Sequence, residues 1–86
     1  MHTVDLLVQA LATARRMGFK IREDWLDGNG GGGCVLHGQK WIFIDLAVDP
    51  HEQLERVADT LLEDPAIHKT DMPAELQAFL GVRRSA

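Results

Sequence analysis

Between Gly28 and Gly33 five of six residues are glycine, within the stretch "DGNGGGGCVLHG". Such a run has no side chains to pack and loses more backbone freedom on folding than any other composition, so it reads as a connection between regular elements. It therefore joins a first strand to a second that starts at Cys34. It also raises a chemical question, whether the glycines cradle a phosphate or only join two strands.

Before the run, Val4, Leu7, Leu11 and Ala14 recur at helical spacing, with Leu6, Val8 and Ala10 widening the stripe. The spacing predicts a helix from about Thr3 to Met17, stopped by Arg15, Arg16 and Gly18. The period then falls to two. Phe19, Ile21, Glu23 and Trp25 alternate with Lys20, Arg22, Asp24 and Leu26, which predicts a strand.

After the run, "CVLHGQKWIFIDL" contains two β-branched and aromatic segments divided by a glycine, the pattern of a hairpin. With Gly38 and Gln39 as the central residues of a type II′ turn, His37 pairs with Lys40, Leu36 with Trp41, Val35 with Ile42, Cys34 with Phe43 and Gly33 with Ile44. Cys34, Leu36, Trp41 and Phe43 then share one face, and Val35, Ile42, Ile44 and Leu46 the other. Both faces are apolar, so each is expected to be covered.

The next boundary is an aspartate version of the capping box: Asp49 as N-cap, Pro50 at the first helical position, Glu52 at the third. Leu54, Val57, Ala58, Leu61 and Leu62 follow as a helical stripe that ends near Glu63, before Pro65. "PAIHKTDM" reads as a connector. A short last helix spans about Pro73 to Leu80, with Leu76, Phe79 and Leu80 inward and Gly81 closing it; residues 81–86 read as a loose tail. The expected architecture is a single α+β domain over residues 1–86, in the order α-β-β-β-α-α: a three-stranded antiparallel meander with helices packed on one face.

Composition narrows the function classes. The 86 residues carry a net charge of −4, and no apolar run approaches the length of a membrane span. Residues 44–86 hold four basic and nine acidic residues, whereas the basic residues of the first half are scattered, so no stripe exists to track a nucleic acid. Cys34, the single cysteine, excludes a disulfide framework and a multi-cysteine zinc site. The N-terminal segment has helical rather than secretory patterning, and a cytoplasmic location is expected.

Candidate chemistry is sparse. The glycine run leads into a strand, not a helix N-terminus, and no Lys-Ser/Thr follows, so the specific part of a phosphate loop is missing. Cys34 and His37 stand three residues apart in a strand and project to opposite faces, which denies the thiol its base. Asp45, His51 and Glu52 gather where the last strand meets the second helix. Carboxylates and an imidazole at such an end suit a ligand or a divalent cation, and Asp45, on a largely apolar face, is expected to have a raised pKa.

A helix, three strands and then a helix beginning with His51-Glu52 resemble the minimal core of zinc metallopeptidases, including the small kind that cleaves phage repressors. The family's second histidine falls at position 55, where this chain has Glu55, so a required zinc ligand is replaced. The expectation is accordingly a non-catalytic module without cofactor or metal. It associates through Trp25, Leu36, Trp41 and Phe43 with a second copy or another protein; a degenerate hydrolase-like ligand or metal site at Asp45, His51 and Glu52 is the alternative.

Overall fold

The computed structural model describes residues 2–82, which form three helices and a three-stranded mixed sheet. The elements run α1 (Thr3–Arg16), β1 (Phe19–Asp24), β2 (Gly32–Leu36), β3 (Gln39–Asp45), α2 (Pro50–Leu62) and α3 (Ala74–Leu80), with a 3-10 turn at Pro65–Lys69. The class is α+β as expected. The antiparallel meander is not what forms: β3 lies in the centre, antiparallel to β2 but parallel to β1, in the order β1-β3-β2.

The physical reason lies in the connections. A parallel pair cannot be closed by a tight turn and needs a crossover, which here consists of residues 25–31, β2 and the hairpin turn. Gln39 fastens the start of the pair, its Nε2 donating to the Gly18 carbonyl at 2.8 Å. At the other end the Leu46 N–H donates to the Asp24 carbonyl at 2.8 Å. Phe19 therefore faces Lys40, and the ladder runs on to Asp24 opposite Asp45.

The hairpin forms one residue earlier than expected. His37 and Gly38 are its central residues, with φ of 53° and 78°, so both occupy the left-handed region that a type I′ turn requires. Leu36 then faces Gln39, Val35 faces Lys40, Cys34 faces Trp41 and Gly33 faces Ile42. This is a slip of two residues from the expected register, and a two-residue slip leaves every side chain on its expected face.

The described helices cover one face only. Phe19, Ile42 and Ile44 point into a core completed by Ala10, Ala14, Leu54, Val57 and Leu61, all buried. Asp49 caps α2 by accepting the Glu52 N–H at 2.9 Å; the Glu52 carboxylate turns to Arg56 rather than back to the cap. The connector expected after α2 instead folds as the 3-10 turn, because the Asp64 carboxylate accepts the Ala66 N–H at 2.9 Å and Ile67 is fully buried. Lys40 reaches the same carboxylate at 2.6 Å and stands over the Phe19 ring, tying this turn to the sheet.

Two helical stripes are narrower than their spacing suggests. Val4 and Val8 remain exposed, because α1 is rotated to bury Ala10, Thr13 and Ala14, and Phe79 is 42% exposed while Leu76 and Leu80 are buried. Of the expected tail, Gly81 takes a left-handed cap and Val82 is buried, its N–H on the Gln77 carbonyl at 3.2 Å; residues 83–86 lie outside the described residues.

The glycine run is the segment that crosses the end of β3 and opens β2. Gly28, Gly30, Gly31 and Gly32 all have positive φ, between 70° and 136°. Gly31 passes against β3 so closely that a Cβ there would collide with the Phe43 carbonyl, and a Cβ on Gly30 would lie 2.7 Å from the Arg56 guanidinium. In contrast a Cβ on Gly28 meets nothing. Gly31→Ala should therefore cost about 2–5 kcal/mol in a urea titration, left-handed strain plus the collision, and Gly28→Ala only the strain of about 1–2 kcal/mol. Equal losses in the two variants would contradict a close crossing.

Candidate functional site

No described helix covers the second face of the sheet, and its residues follow from the register. β1 contributes Lys20, Arg22 and Asp24, β3 contributes Gln39, Trp41, Phe43 and Asp45, and β2 contributes Gly32, Cys34 and Leu36. The face is divided: a charged strip on β1 and an apolar strip on β3 and β2. Trp41 and Phe43 stack along β3 with centroids 6.0 Å apart and planes at 15°, and Lys20 Nζ stands 5.7 Å from the Trp41 ring centre. Arg22 approaches Asp24 at 3.9 Å, a solvent-exposed pair of little energetic weight.

Three of the four expected interface residues, Leu36, Trp41 and Phe43, are thus brought together on one uncovered surface. Trp25 is not part of the strand; it follows the end of β1, is 68% exposed, and its backbone N–H donates to the Asp24 carboxylate at 2.8 Å. Cys34, expected to be a small core residue opposite Phe43, is exposed and faces Trp41.

The sequence pattern also bears on the sheet's two edges. β1 carries Lys20, Arg22, Glu23 and Asp24, the charged protection typical of an edge that must not pair. β2 reads "GGCVL", has no charge, and exposes Val35 and Leu36 at 65% and 47%. In a type I′ hairpin Leu36 and Gln39 form the hydrogen-bonded pair next to the turn, so alternation directs the backbone groups of Leu36, Cys34 and Gly32 toward β3. Those of Gly33 and Val35 point outward. Hollows flank the glycine half of this strand on both sides. One of about 470 Å³ lies over Gly31–Gly33 beside Leu26 and Phe43, and one of about 300 Å³ lies on the helix side beside Gly33, Val35, Thr60 and Pro65.

The second set of expected residues takes separate partners. Asp45 is fully buried, and its carboxylate accepts backbone N–H groups from Leu26 at 3.0 Å, Gly30 at 2.9 Å and Ala47 at 2.8 Å. Burial pushes this carboxyl up, but the N–H groups of Gly30, Ala47, Leu26 and Gly28 outweigh it and hold the pKa below 3.8, opposite to the direction expected for a buried aspartate. His51 is exposed on α2, with Nε2 3.7 Å from the Glu55 carboxylate, and Glu52 meets Arg56 at 3.5 Å. Among the described residues no three His, Cys, Asp or Glu side chains are grouped as a metal ion would require. The described helices include none long and apolar enough to cross a membrane.

No protein-family model matches the chain, and no curated protein or solved structure matches it.

Asp45→Asn tests the role of the buried carboxylate. An amide can accept on one side only, so its NH2 would face one of the N–H donors that now converge on the two oxygens. The variant should lose roughly 5–15 °C in Tm at neutral pH. Because the folded pKa is depressed, the wild type holds this contribution in full above the unfolded value of 3.8 and loses it as pH falls through and below that value. Urea midpoints measured from pH 7 down to pH 2.5 should therefore converge for wild type and variant in acid; a gap that stays constant with pH would show that the charge is not what holds the loop.

Proposed function

We propose that this protein is a non-catalytic assembly module that acts by associating through its sheet, most simply with a second copy of itself. The observation that supports this is the apolar strip of exposed Leu36 and partly buried Trp41 and Phe43, on a face that no described helix covers and running onto an edge strand with no charge. Apolar surface gathered on one side of a one-sided sheet is stabilised when another protein covers it, and large aromatics are the residues enriched where such contacts form. Nothing in the strip suggests bond-making chemistry: Cys34 is the one nucleophile on it, and its neighbours across the ladder are the Trp41 ring and the backbone of β3.

Two-fold self-association is the commonest closed assembly and requires only that one surface complement itself. The contact offered by a few short strands lies at the small end of stable interfaces, so the protein should interconvert between monomer and dimer over about 5–500 µM. Sedimentation equilibrium across that range should show the mass rising from one chain to two. Leu36→Asp should hold it at one chain, with unchanged circular dichroism because Leu36 is half exposed. A wild-type mass of one chain throughout would refute the proposal.

A further inference from the structure

Resting on that reading, we propose that the second copy joins at β2, whose free edge pairs antiparallel with its own symmetry mate about a twofold axis at Cys34, merging two three-stranded sheets into one of six strands.

The argument starts from shape. β2 is asymmetric along its length: Gly32 and Gly33 at one end have no side chains, and Val35 and Leu36 at the other are exposed. An antiparallel twofold centred on Cys34 sets Gly33 opposite Val35 of the second copy and Gly32 opposite Leu36. On the bare face the Leu36 side chain of one copy then enters the hollow over Gly31–Gly33 beside Phe43 of the other. On the helix face Val35 of one copy settles over Gly33 and against Thr60, which lies directly beneath it. Each copy supplies two apolar knobs and two hollows, and the twofold matches them.

Hydrogen bonding supports the same register. The outward groups are those of Gly33 and Val35, and these two residues face one another in this pairing, so both exchange N–H···O=C bonds across the axis. Cys34, whose own backbone groups are engaged with β3, becomes a non-hydrogen-bonded pair with its mate, the closer of the two pair types.

Charge decides against the other arrangement available to a second copy. Stacking two bare faces would bury Lys20, Arg22 and Asp24 of both chains, which costs more than the apolar half returns. Edge pairing leaves those charges on the outer strands, where they protect β1, and it covers the Leu36 and Phe43 end of the apolar strip, Trp41 staying stacked on Phe43.

Two variants and one cross-link test the arrangement. Val35→Glu places a charge at the pairing edge, opposite Lys40 and so without a like-charge clash in the single chain, and Val35→Pro removes the outward N–H, which faces away from β3; Val35 is exposed in the single chain. Both should raise the dimer Kd by about tenfold or more. Diamide should then join wild-type chains at Cys34: the two thiols give up two protons and two electrons to the azo bond, which is reduced to the hydrazine, and one S–S bond forms. Cross-linking should be fast above the dimer Kd and slowed in both variants. If the wild type dimerises but both variants dimerise equally well and cross-link at the same rate, the edge arrangement is wrong while sheet association stands. A wild type that stays a single chain overturns both.

Discussion

The Asp45 carboxylate is the contact on which the arrangement of the sheet depends. It sits at the C-terminal end of the central strand and collects N–H groups from Leu26 and Gly30 in the crossing segment and from Ala47 just beyond β3. A buried carboxylate is costly unless its lone pairs are used, and here backbone donors from two separate segments use them. One anion therefore sets the path of the glycine segment around β3 and the start of the turn toward α2. The glycines are needed because that path lies too near the Phe43 carbonyl and the Arg56 guanidinium for side chains.

That clamp determines which strands become the two edges. Because the crossing carries the chain from one side of β3 to the other, β1 and β2 flank the central strand and each has one neighbour, β1 with a charged edge and β2 with an uncharged one. The helices pack against Phe19, Ile42 and Ile44, leaving Trp41 and Phe43 on the far side and Val35 at the rim. The same glycines that permit the crossing also empty the first half of β2, which is why its hollows and its exposed Val35 and Leu36 lie on one short strand.

Much of this was legible in the residues, and the failures have identifiable causes. Helix limits were read correctly where caps and breakers are local: Asp49 with Pro50, Gly18 after Arg16, Gly81 after Leu80. The grouping of Cys34, Leu36, Trp41 and Phe43 survived a wrong turn type because the register moved by two residues. Strand order was not legible, since a seven-residue connection between Asp24 and Gly32 is compatible with returning beside β1 or crossing past β3, and only the long-range contact to Asp45 decides it. The direction of the Asp45 pKa was missed for the same reason: its donors are backbone groups from a segment distant in sequence. The residues do carry one signal of the edges, the contrast between "FKIRED" and "GGCVL", one protected by charge and the other uncharged.

Amide hydrogen exchange followed by NMR on unmodified protein tests association at this edge most directly. The Gly33 and Val35 amides point away from β3 and the Cys34 amide points toward it, so the three report on the two sides of one strand. Exchange at Gly33 and Val35 should slow as protein concentration rises through the dimer range, with Cys34 protected at every concentration. Fast exchange at Gly33 and Val35 that does not change with concentration would contradict the account.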